Sequence, residues 1–123
     1  MSAERVFTVE EANAMLADLR GRLERIRGAR HQVIAGAEQV GRSKGGNGGG
    51  AESAASIDAS RVIREELEQV LAEGIIVRDP ETGLVDFPAE RDGEPVFLCW
   101  RLGEDDVGHW HDRESGFSSR RPL

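Results

Sequence analysis

Apolar or small residues recur at Ala12, Leu16, Leu19, Leu23, Ile26, Val33, Ala37 and Val40, in steps of four and three that only Arg30 interrupts. That spacing draws one stripe down one side of an α-helix, the heptad-like geometry that packs against an antiparallel partner helix. The first third of the chain is therefore expected to be one long helix, over about residues 9–41, and it needs a second helix to cover it. Thr8-Val9-Glu10-Glu11 reads as a capping box, the Thr8 hydroxyl accepting from the Glu11 amide and the Glu11 carboxylate from the Thr8 amide. Asp18 and Arg22 form an i,i+4 pair in the favourable orientation. Gly21, Gly28 and Gly36 each weaken the helix by about 1 kcal/mol relative to alanine, so it is expected to depend on its packing partner.

Gly41 to Gly50 (Gly-Arg-Ser-Lys-Gly-Gly-Asn-Gly-Gly-Gly) has the composition of a flexible linker. It does not make a phosphate-binding loop: Lys44 has no strand before it, and Asn47 stands where a G-x-G-x-x-G match starting at Gly45 needs glycine. A second helix is expected over about 57–73, with Val62, Ile63, Leu67, Val70 and Leu71 on one side and Gly74 as its stop. The two helices make an αα-hairpin whose first arm is the longer. Its far end either projects freely or is covered by a second copy of the chain.

Beyond Gly74 the period changes from helical to two. Ile75-Ile76-Val77 reads as a strand, Asp79-Pro80-Glu81-Thr82-Gly83 as a turn, and Leu84-Val85-Asp86-Phe87 as a second strand. Asp92-Gly93 is a hairpin signal, Val96 to Arg101 a third strand, and Val107 to His111 a fourth segment after the Gly103-Glu104-Asp105-Asp106 turn. The tail from Gly116 to Leu123 has no periodicity of its own. The expected fold is α+β in one domain, residues 1–123: a long antiparallel helical hairpin followed, over 75–123, by a small antiparallel meander of three to four strands packed on it.

Charge and cysteine usage narrow the function classes. Residues 1–50 carry +2 and residues 51–123 carry −9, for a net charge of −7. An acidic surface repels phosphate backbones, which tells against nucleic acid as a partner. The exception is a basic run on the first helix, Arg20, Arg22, Arg25, Arg27, Arg30 and His31, read as a solvated face that Glu24 dilutes. Cys99 is the only cysteine, so no internal disulfide forms and a reducing compartment, the cytoplasm, is expected. No window is apolar enough for a membrane span, and Met1 to Thr8 lacks the pattern of a secretory leader.

Certain runs are familiar. Phe7-Thr8 with Glu11-Ala12-Asn13, Gly83 to Pro88, Leu98-Cys99-Trp100-Arg101-Leu102-Gly103-Glu104, Trp110-His111, Gly116-Phe117 and Arg120 to Leu123 resemble a bacterial family of uncharacterised proteins, domain of unknown function 2203. The likeness covers nearly the whole chain and is most specific in its C-terminal half. It implies a shared fold and a shared site near these motifs; it implies no activity and no role for Cys99.

Polar and aromatic residues gather between Asp86 and Arg121. In His109-Trp110-His111 a strand would put both histidines on one face and Trp110 on the other. With Cys99 on a neighbouring strand, or with Glu104, Asp106 or Asp112, His109 and His111 could hold a transition metal such as zinc, although a lone His-x-His more often marks two half-exposed histidines. Asp86, Glu104 and His111 supply the residue types for metal-independent hydrolysis. Read singly, Asp86 is a solvent-facing carboxylate pointing away from the Val85–Phe87 face, Glu104 a turn residue paired with an arginine, and Cys99 a small buried hydrophobe. Trp100, Trp110 and Phe117, with Arg120 and Arg121, either wall a shallow pocket or form the core of the β unit. The leading expectation is a binding module that self-associates through its hairpin, with a protein partner or a second copy, and carries a polar-aromatic site of Asp86, Trp100, Glu104, Trp110, His111, Phe117 and Arg120. A metal protein using His109 and His111, and a hydrolase using Asp86, Glu104 and His111, are the alternatives.

Overall fold

A computed structural model of the chain describes residues 5–42 and 54–123. Helix α1 spans Val9–Arg42, and α2 spans Ala54–Ala72. Residues 43–50 of the glycine-rich linker, including the Lys44 to Asn47 motif, lie outside the described residues, and so does the Val40 side chain. Both hydrogen bonds of the capping box form: the Thr8 amide donates to Glu11 Oε1 at 2.8 Å, and the Glu11 amide donates to Thr8 Oγ1 at 3.0 Å. The stripe is buried from Ala12 through Leu16, Leu19 and Leu23 to Ile26. Val33 is half-buried, and Ala37 is exposed. At the far end the helices approach closely at Gly36, where a Cβ would stand 2.3 Å from Ser56 Oγ.

Helix α2 begins at Ala54 rather than near residue 57, because Ala54, Ala55 and Ser56 suit a helix although they add nothing to the apolar stripe. Leu71 does not join the packed side; it is 68% exposed, whereas Val70 beside it is fully buried.

Five strands follow, not three to four: β1 Ile76–Asp79, β2 Leu84–Arg91, β3 Glu94–Arg101, β4 His109–Asp112 and β5 Arg121–Pro122, in the order β1-β2-β3-β4-β5. All are antiparallel to their neighbours. The fifth strand escapes sequence reading because a two-residue strand cannot display a period of two. The longest hairpin, β2–β3, turns at Asp92 and Gly93 with φ of 53° and 81°, the left-handed pair of a tight two-residue turn. Gly83 has φ of 72° and takes the Leu102 side chain so close that a Cβ would lie 2.5 Å from it.

The two faces of the sheet have different fates. Val85, Phe87, Ala89, Val96, Leu98 and Trp100 face the hairpin and share one core with Leu16, Leu19, Leu23, Ile26, Val70 and Ile75. Burying each such large side chain contributes roughly 1.5–3 kcal/mol. Phe7 packs edge-on against Phe87 with ring centroids 5.2 Å apart, and its amide donates to the Pro88 carbonyl at 2.7 Å. The opposite, outer face presents Asp86, Phe97, Cys99, His109 and His111, which alternate with the core residues along the same strands.

Candidate functional site

The outer face should be solvated if only the alternation mattered, yet Asp86 is 2% exposed, Cys99 1% and His111 3%. Register explains how they meet. Asp86 on β2 stands opposite Cys99 on β3, and His111 on β4 stands opposite Phe97, one diagonal step from Cys99. One ligand atom from each of Asp86, Cys99 and His111 lies within 4.8 Å of the other two. Asp86 thus points away from the Val85–Phe87 face as expected but is not solvent-facing: His111, Arg78 and Phe97 close over it.

The hydrogen bonds fix the roles of the imidazole nitrogens. His111 Nδ1 lies 2.8 Å from the Asp112 carbonyl oxygen, which can only accept, so Nδ1 carries a hydrogen and donates. Nε2 then faces Asp86 Oδ1 at 3.0 Å. In a neutral ring Nε2 is a lone pair, and an ionised carboxylate oxygen is another. At 3.0 Å the two are at hydrogen-bond distance, so a proton lies between them in the metal-free chain. The second Asp86 oxygen, Oδ2, accepts from Arg78 Nε at 2.8 Å. Arg78 also lies over the Phe97 ring, 5.0 Å from its centroid, with Arg113 at 4.2 Å and the His111 ring at 5.5 Å from the same phenyl.

Cys99 sits between this pair and a second polar group. Burial and the nearby Asp86 charge push its thiol up to about 11, against the pull of an Arg120 hydrogen bond. It is therefore a thiol near neutral pH rather than a reactive thiolate. Arg120 in turn holds Glu104 with a two-point fork, Nη1 to Oε1 at 3.0 Å and Nη2 to Oε2 at 2.7 Å. The Arg101 amide adds a third bond to Oε1 at 2.8 Å. Burial disfavours the Glu104 charge, but these bonds outweigh it and hold the carboxyl below its ordinary range. His109, opposite Cys99, has Nδ1 4.0 Å from Glu104 Oε2, and its side chain is 35% exposed.

The residues singled out from the sequence therefore divide. Asp86, Cys99 and His111 converge, and His109, Arg120 and Glu104 border them on the same face. Glu104 is engaged by Arg120 and Arg101, not by Asp86 or His111, so the three hydrolase candidates do not form one constellation. Phe117, on a short 3-10 turn (Phe117–Ser119), stacks under Arg101 and Arg120 at 4.9 Å and 4.2 Å. Trp100 belongs to the core on the other face, with its indole N–H donating to the Glu104 carbonyl at 3.1 Å. Trp110 also packs on the core side, flanked by Arg91 at 4.6 Å and Arg121 at 5.3 Å. Beside it opens a shallow depression of about 620 Å³, lined by Arg91, Pro95, Val96 and Arg113 among others and separate from the Asp86–His111 cluster. Arg78 and Phe97 were not anticipated; Ile76 stands opposite Asp86, and Arg78, two residues on, falls at the strand irregularity between Val77 and Asp79, which no local pattern announces.

The basic run on α1 is answered within the chain. Arg22 and Arg25 pair with Glu66, Arg30 and His31 with the Glu81 carboxylate, Arg27 with the Glu81 carbonyl, and Arg20 with the carbonyls of Glu104 and Asp105. No helix is long and apolar enough to cross a membrane among the described residues.

Over residues 5–123 the sequence matches the family of uncharacterised conserved proteins DUF2203, and the chain belongs to that family. No curated protein and no solved structure matches it.

Proposed function

For this member of the DUF2203 family we propose a transition-metal-binding role, with Asp86, Cys99 and His111 as ligands. The observation that carries the reading is the convergence of three buried donors, from Asp86, Cys99 and His111, whose ligand atoms lie within 4.8 Å of one another, with the second imidazole nitrogen donating to a backbone carbonyl. Metal-bound histidines are oriented in this way, by a hydrogen bond from the second ring nitrogen. A tetrahedral zinc ion about 2.1 Å from each of His111 Nε2 and Asp86 Oδ1 would separate them by about 3.4 Å, so the pair has to part slightly to take it up, with the Cys99 sulfur on the adjoining strand as the third donor. Metal binding would displace the Cys99 thiol proton to solvent, and the resulting thiolate favours zinc and similar borderline cations over magnesium or calcium. This thiol chemistry suits a reducing compartment, which supports a cytoplasmic setting.

Thermal unfolding with added metal tests the reading. At a free zinc concentration of about 100 times Kd, linkage predicts roughly 2.7 kcal/mol of added stability. The wild type should melt several degrees higher with zinc, and His111→Ala and Cys99→Ala should lose the shift. No shift with zinc, cobalt, nickel or iron would remove the proposal.

A second reading, an interaction module that self-associates through the hairpin, is supported by Ile34 and Ile57, which are 47% and 56% exposed toward the far end of the two helices. Solution scattering over a concentration series discriminates: a dimer supports it, and a monomer at high concentration ends it.

A further inference from the structure

We infer that His109 is the fourth ligand of the same ion, closing the site into a tetrahedral Asp–Cys–His–His centre that joins β2, β3 and β4. The inference rests on the metal reading above. Three protein donors leave a tetrahedral ion one position short, and that position decides between a closed structural site and an open catalytic one. Asp86 opposes Cys99, and Cys99 opposes His109, so the three residues form one row across the outer face. Directly opposed residues have Cβ atoms about 4.5–5.5 Å apart. His111 completes the patch two residues along β4 on the same face.

In the metal-free chain His109 stands outside the group whose ligand atoms lie within 4.8 Å of one another, so its ring has to turn toward the sulfur to complete the set. Its nearest carboxylate oxygen, Glu104 Oε2, is 4.0 Å from Nδ1, beyond hydrogen-bonding distance. The side chain is 35% exposed, so part of the ring already faces solvent. Glu104 does not follow it, because the Arg120 fork and the Arg101 amide hold the carboxylate in place. One oxygen, one sulfur and two nitrogens make a donor set for a four-coordinate zinc ion. Its role in the fold is to fasten the face of the sheet that the helices leave bare, which is where the polar groups are concentrated.

Cobalt(II) substitution in the full chain reads out the coordination directly through the thiolate charge-transfer and ligand-field bands. His109→Ala should weaken cobalt binding by about 100-fold, at the upper end of what loss of a supporting partner alone costs. Azide should leave the wild-type spectrum unchanged and shift that of His109→Ala, where a coordination position has been opened. Unchanged affinity in the variant, or a wild-type spectrum that azide shifts, overturns the fourth-ligand assignment and leaves the three-ligand site standing. A wild type that takes up no cobalt removes both.

Discussion

Truncating Asp86 would leave Arg78 facing a gap and His111 without its buried partner. Arg78 is nearly half exposed, so the main cost is the buried His111 nitrogen left without a partner, typically about 1–3 kcal/mol. Asp86→Ala is therefore expected to destabilise the metal-free protein by an amount in that range, measured by urea unfolding. A loss below about 1 kcal/mol would mean that the cluster is more solvated than its 2–3% exposure implies. At the exposed start of α1 the scale is smaller: Thr8→Ala removes one half of the capping box and should cost about 1 kcal/mol. The capping residues were legible in the sequence because a cap is a local hydrogen-bond pattern at fixed spacing. Asp86 was legible only in part. Alternation gives the face a strand residue points to, but whether that face is dry depends on Phe97 and His111 arriving from β3 and β4, and no local pattern encodes such a convergence.

Among the elements, α1 offers a matched pair of glycines. A Cβ at Gly28 meets nothing within 4 Å, whereas at Gly36 it would stand 2.3 Å from Ser56 Oγ. Gly28→Ala should stabilise by about 1 kcal/mol through helix propensity. Gly36→Ala should forfeit that gain, because Ser56 must leave its place between the helices. Comparison of the two melting temperatures checks both. The turn between β1 and β2 is latched to the same helix through Glu81, whose carboxylate takes His31 at 2.7 Å and Arg30 at 2.8 Å. The His31 hydrogen bond above all, with the charges of Arg30 and Arg27, holds its carboxyl below the ordinary 4.5. A depressed folded value means that the latch stabilises above the unfolded value and that this contribution is lost as pH falls through the folded one. The stability difference between wild type and Glu81→Gln should thus be largest at neutral pH and close as pH drops below about 4.5; a difference that widens in acid would contradict the assignment. The helices and the Asp92–Gly93 hairpin were readable from periodicity and turn chemistry. The pairing of Arg121–Pro122 with β4 was not, because it is set by where the chain returns in space rather than by any pattern in the tail.

At the scale of the molecule, one sheet separates two chemistries. Its inner face is fused with the helical hairpin into a single apolar core, and the outer face carries carboxylate, thiol and imidazole donors behind a cover of arginine and phenylalanine side chains. The sequence announced the α+β division at Gly74, where the hydrophobic period changes, and it marked the C-terminal half as the polar-aromatic region. It did not separate Trp100 and Trp110, which serve the core side, from Asp86, Cys99 and His111 on the other, because that sorting depends on strand register. The decisive property of the molecule is whether its outer cluster holds a metal ion. Elemental analysis by mass spectrometry of protein prepared without an affinity tag or chelator, alongside His111→Ala, measures this directly. About one equivalent of a transition metal is expected in the wild type and its loss in the variant; wild-type protein free of any transition metal would contradict the metal-binding role.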